Sequence, residues 1–117
     1  MTYVDVMVAA VPVANKNAYI AHAETFGKIA KENGALRSTD SWGVDVPSGE
    51  VTSMPMAVQC KDDEVVAVGW IEWPSKQTRD AGWEKMMQDP RMDPQTNPMP
   101  FDGQRLIFGG FEMLLDH

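Results

Sequence analysis

From Tyr3 to Val11 the chain alternates, with Val4, Val6, Val8 and Ala10 on one side and Tyr3, Asp5, Met7 and Ala9 on the other. That period is a strand's, and Pro12 ends it because proline has no amide to donate. The period then changes. Tyr19, Ala23, Phe26 and Ala30 recur at helical spacing, with His22 and Ile29 on the same stripe, between a cap at Asn15 and a stop at Asn33-Gly34. Leu36 to Val44 reads as a second strand of poor period, since Arg37, Ser38, Thr39, Asp40 and Ser41 are all polar. Pro47-Ser48-Gly49 is a turn, and Met54 to Cys60 is expected to continue strand two or to form a short extra strand, in a hairpin with the strand from Val65.

Val65 to Trp73 is rich in β-branched and aromatic residues, the mark of a buried strand. Pro74 closes it and Ser75 caps a second helix reaching about Gln88, with Trp83, Met86 and Met87 on its inner stripe and Gly82 allowing close packing. From Asp89 to Gln104, prolines at 90, 94, 98 and 100 predict a long loop, expected to wrap across a neighbouring copy. Leu106 to Leu115 is the final strand, apolar on both sides, with Gly109-Gly110 marking a bulge or a close backbone approach.

The order β-α-β-β-α-β predicts an α+β, ferredoxin-like fold in one domain over residues 1–117, two helices covering one face of an antiparallel sheet. The other face should then be polar, yet the last two strands are apolar on both sides. The expected solution is a homodimer with the two sheets face to face.

Composition narrows the function classes. At 117 residues, with 44% hydrophobic and 23% charged, the chain is expected to fold on packing alone. The lone Cys60 fits a reducing, cytoplasmic setting. Near the N-terminus Asp5 breaks the apolar stretch and no basic leader precedes it, so neither a signal peptide nor a membrane partner is expected. A net charge of -7 argues against a nucleic-acid partner. An RNA-binding module, which shares this element order, ranks last because strand one offers only Tyr3 for stacking.

Four segments carry a resemblance: TYVD at the start, DVPSGEVTSMP in the middle, the run GWIEWPS, and above all NPMPFDGQRLIFGGFE near the end. Over nearly the whole chain the sequence resembles the YbaA-like family of uncharacterised bacterial proteins. The resemblance implies a dimeric α+β barrel within the ferredoxin-like group. That wider group includes small monooxygenases, isomerases and haem-degrading proteins, so the implied scaffold is one able to hold a ligand without a stated reaction.

Candidate chemistry starts with carboxylates inside strands, Asp5, Asp40, Glu72 and Glu112, where a charge facing the core needs a partner such as Arg37 or Arg105. His22 is a candidate general base. The catalytic candidates are His22, Asp5 and Glu112, and aromatic walls for a ligand are sought at Tyr3, Trp42, Trp70 and Trp73. Each has a plainer reading as a structural ion pair, a hydrogen-bonded histidine, or core and interface packing. With His22, His117 and Cys60 the only nitrogen and sulfur donors of their kind, no metal is expected. Nor is a cofactor: no phosphate-binding glycine loop or dinucleotide fingerprint occurs. Acidic neighbours of Cys60 should raise its thiol pKa and leave it inert.

The leading expectation is a homodimeric barrel that binds a small apolar or amphipathic molecule. The alternative is a small cofactor-independent enzyme, monooxygenase-like or isomerase-like, with a pocket in each protomer. That alternative requires a cavity reaching both His22 and a carboxylate.

Overall fold

In the computed structural model, which describes residues 2–117, four strands form one antiparallel sheet in the order β2-β3-β1-β4. They are β1 (Tyr3–Pro12), β2 (Arg37–Trp42), β3 (Glu64–Trp73) and β4 (Ile107–Glu112), with helices α1 (Lys16–Glu32), α2 (Met54–Ala57) and α3 (Lys76–Met86) between them. The protein is thus of the α+β class. No helix among the described residues is long and apolar enough to cross a membrane.

β1 lies between β3 and β4, with Asp5 opposite Ile71 on one side and Gly110 on the other. Alternation then sorts the sheet into two faces. Asp5, Ala9, Val11, Ala67, Ile71 and Trp73 turn toward α1 and α3 and are buried. α1 ends as the sequence predicts. Gly34 takes a φ of 107°, and the amides of Gly34 and Ala35 return to the carbonyls of Lys31 and Ala30, satisfying two of the last carbonyls of the helix. Ser75 caps α3 as expected, accepting from the amide of Thr78. Gly82 lets α3 lie directly on Trp73, whose ring would stand 2.7 Å from a Cβ at that position.

Several local expectations are corrected. Asn15 sits just before α1 but gives it no side-chain cap; its amide donates to the Pro100 carbonyl instead. Met54 to Cys60 is neither a continuation of strand two nor an extra strand, and the expected hairpin is absent because β3 pairs with Arg37–Trp42. Ser53 caps a single helical turn there, with Pro55 in its first turn, where the missing amide costs nothing. Met87 is off the inner stripe and 69% exposed. The last strand stops at Glu112, leaving Leu114 and Leu115 exposed beyond it.

The second face of the sheet has more cover than the sequence suggests. Val58 is fully buried against Ala10 and Val66, so the segment around α2 shields one end of it. The other end is open. Trp70, Ile107 and Phe111 are exposed there, beside half-buried Val4 and Val6.

The proline-rich segment packs against its own chain. Two short 3-10 turns, Pro90–Met92 and Gly103–Arg105, punctuate it, and Phe101 packs on Tyr19. Arg105 anchors its end, donating at 2.7 Å to each carboxylate oxygen of Glu64. That pair holds the Glu64 carboxyl down, from 4.5 to about 2, chiefly through the Arg105 hydrogen bond. Because the unfolded chain takes up this proton first, the pair's stabilisation is present above about pH 4.5 and lost as pH falls toward about 2. Glu64→Gln is expected to remove about 1–2 kcal/mol of stability at neutral pH after solvent screening, and to flatten the acid limb of a urea-midpoint profile.

Candidate functional site

Of the strand carboxylates, Asp5 is the one fully inside. Its Oδ2 accepts from the indole nitrogens of Trp73 at 2.9 Å and Trp83 at 2.8 Å, and Arg79 donates to Oδ1 at 2.7 Å. Arg79 in turn lies 5.3 Å from the Tyr3 ring centroid, and its guanidinium is driven further up in pKa, mainly by the Asp5 hydrogen bond. Every lone pair a reacting group would use is already occupied. The arginines named from sequence serve elsewhere: Arg37 reaches Glu72 at 3.9 Å, and Arg105 binds Glu64 and Asp102. Glu112 is exposed on β4.

The concave site lies between α1 and the sheet. Tyr19, His22, Ala23 and Phe26 project from α1 at successive helical offsets onto Met7 and Ala9 of β1 and Ala67 and Gly69 of β3. Met99, Phe101 and Leu106 close the cavity, which holds about 90 Å³. The walls are apolar except at three side chains, Tyr19, His22 and Asp40.

Those three are held in place. Tyr19 is buried, and its hydroxyl donates to Asp40 Oδ1 at 3.0 Å. Asp40 starts from the edge strand β2 and turns its carboxylate over Gly69, where a Cβ would stand 2.6 Å from Oδ1. Desolvation raises the Asp40 carboxyl pKa, with the Tyr19 hydrogen bond and nearby His22 pulling the other way. Burial raises the Tyr19 phenol far above its ordinary value, reinforced by the Asp40 charge. His22 Nδ1 lies 3.2 Å from Asn97 Oδ1. An amide oxygen only accepts, so Nδ1 is the donor in that contact. Phe101 meets the His22 ring edge-on at 6.3 Å.

Outside this cavity a groove of about 570 Å³ runs between α1 and β2. The two share Tyr19, Ala23 and Asp40, so the cavity and groove meet at the Tyr19–Asp40 hydrogen bond. Trp42 flanks that junction, 6.0 Å from the Tyr19 ring, with Lys16 Nζ 5.5 Å from the Trp42 ring centroid.

Of the sequence candidates, the structure brings His22 and Trp42 to this site. Tyr3 stands beside Asp5 and Arg79, Trp73 is fully buried in the core, and Trp70 lies on the opposite face, donating to Glu72. Tyr19 and Asn97 are site residues that the sequence does not single out. A tyrosine three residues before His22 on an inner stripe needs a partner for its hydroxyl, and that is the available signal for Tyr19 and Asp40. Asn97 has none, since it is recruited by a loop whose path the prolines do not specify. Cys60 is half-buried beside Glu64, and desolvation, with that charge, raises its thiol pKa, in line with an inert cysteine.

A family model described as "Protein of unknown function (DUF1428)" matches residues 2–103. "Uncharacterized protein YbaA" of Escherichia coli strain K12 is 50% identical over 116 residues, covering 99% of each chain. Proteins of the same name from Escherichia coli O157:H7 and Shigella flexneri are similar to the same degree.

Proposed function

The chain belongs to the DUF1428 family, and we propose that it is a cytoplasmic, homodimeric α+β barrel protein of ferredoxin-like topology. Each protomer binds a small apolar or amphipathic molecule between α1, the sheet and the proline-rich segment. The observation that carries the ligand reading is the apolar cavity into which Tyr19, His22 and Asp40 alone bring polar atoms. A few convergent polar groups in an apolar concavity are what a small-molecule site requires: burial supplies affinity and the polar atoms fix orientation. The strand order β2-β3-β1-β4 supports the ferredoxin-like topology, and the uncovered end of the second face supports the dimer.

A second reading, a cofactor-independent enzyme, is favoured by one feature. His22 and Asp40 share the cavity, so an imidazole and a carboxyl of raised pKa line the same space. The catalytic pair on that reading is His22 with Asp40, in the role the sequence suggests for Asp5 or Glu112.

Binding is tested by calorimetric titration with 1-hexanol, a neutral probe whose chain is slim enough for a space of about 90 Å³. Saturable binding is expected with the native chain, and Ala23→Phe, which fills the junction of cavity and groove, is expected to weaken it about tenfold or more. Unfolding of that variant should stay close to native because Ala23 is only half-buried. Absence of saturable binding, or equal binding by the blocked variant, would remove the reading.

A further inference from the structure

Half of the ten basic side chains are paired with acids. Arg37, Lys76, Arg79, Arg91 and Arg105 are in ion pairs with carboxylates. Of the five remaining, Lys16, Lys28 and Lys31 all line the groove outside the cavity. The acids there are Glu24 and Asp40, and Asp40 already accepts the Tyr19 hydroxyl. In a chain of net charge -7 this groove is therefore lined by three lysines that form no ion pair among the described residues, against two acids.

The lysines also stand where such charge is useful to a ligand. On a helix rising about 1.5 Å per residue, Lys16 and Lys31 bracket the groove, and the junction at Tyr19 and Ala23 lies between them. Lys16 is steadied against the Trp42 ring, which gives its end of the groove an aromatic floor beneath a cation. At the Glu24 and Asp40 side a negative group would be repelled, so the attraction is confined to the lysine ends.

Building on the ligand reading above, we propose that the site selects an amphipathic anion. Its apolar body enters the cavity past Tyr19 and Asp40, and its carboxylate, sulfonate or phosphate stays in the groove against the lysines, Lys16 foremost. The division of labour comes from the two compartments. The inner one is walled mainly by apolar side chains and has no lysine or arginine in its lining, while the outer one offers lysines in contact with water, where ligand charge keeps part of its hydration.

The test compares two probes of the same chain length, neutral 1-hexanol and anionic hexanoate, titrated into the native 117-residue chain. The anion is expected to bind about tenfold tighter at low salt, with that advantage shrinking as added salt screens the lysines. In a Lys16→Gln, Lys28→Gln, Lys31→Gln variant the ratio of the two affinities is expected to fall to near one. Equal affinities in the native chain, or a preference that survives the triple substitution, would overturn the anion proposal while leaving the ligand reading intact. Binding of neither probe would overturn both.

Discussion

Asp5→Ala is expected to lower the stability of the fold by about 3–5 kcal/mol, seen as a large drop in urea midpoint with little change in slope. The aspartate side chain is 7% exposed and joins three elements: β1, which carries it, the end of β3 through Trp73, and α3 through Arg79 and Trp83. Removing it strands two indole N–H groups and leaves Arg79, itself 25% exposed, with Asp80 as its one charged partner among the described residues. Breaking such a pair costs more than the pair contributes, because desolvated donors are left without acceptors. Asp5→Asn keeps the shape and one acceptor oxygen, so an intermediate loss is expected. The same variant separates structure from chemistry. If Asp5 is a keystone outside the ligand site, affinity for the neutral probe stays native in Asp5→Asn under conditions where it is folded. A loss below about 1 kcal/mol in Asp5→Ala, or a collapse of probe affinity in the folded Asn variant, would contradict this role.

The strands and helices with strong periods are legible in the sequence because local pattern and tertiary burial agree there. The stripe from Tyr19 to Ala30 turns inward as its spacing predicts, buried at Tyr19, Ile29 and Ala30 and half-buried between, and the Ser75 cap and Gly82 contact come from the residues themselves. β2 has no such period because it is an edge strand: Arg37 faces water, while Ser38, Asp40 and Ser41 line the groove. Its polarity is a site signal as much as a weak strand signal. α2 escapes a periodic reading because one helical turn has no period to detect, although Ser53 followed by Pro55 is a start signal. The partners of Asp5 are out of reach for another reason. Arg79 lies 74 residues away on α3, and nothing in local spacing says which arginine folds back to which carboxylate. Gly110 shows the limit of motif reading. It permits close approach, as expected, but to the Tyr3 ring within the same chain, whose atoms would crowd any Cβ there.

Val6→Asp is expected to convert a dimer into a folded monomer. Val6 sits between Trp70 and Gly109 in the middle of the second sheet face, away from the end shielded by Val58. Around it Trp70 is 39%, Ile107 42% and Phe111 58% exposed, a concentration of aromatic and branched side chains that a lone protomer leaves wet. A stable interface needs about 800 Å² from each partner, about a tenth of the 7687 Å² surface, which a four-stranded face with an aromatic centre is large enough to supply. A carboxylate placed there would be desolvated twice, once in each protomer, and face its symmetry mate, since a two-fold interface repeats every residue. The dissociation constant is expected to rise by about a hundredfold or more, which light scattering at micromolar protein reads directly as a halved mass. Phe111→Glu, on the neighbouring strand, should act in the same direction but less strongly because it starts further from the centre. Circular dichroism holds the control: both variants must keep native secondary structure for the mass to bear on assembly. A native chain that is already monomeric at that concentration would refute the barrel. The cavity behind α1, on the other side of the sheet, would be untouched by that result, since its walls all come from one protomer.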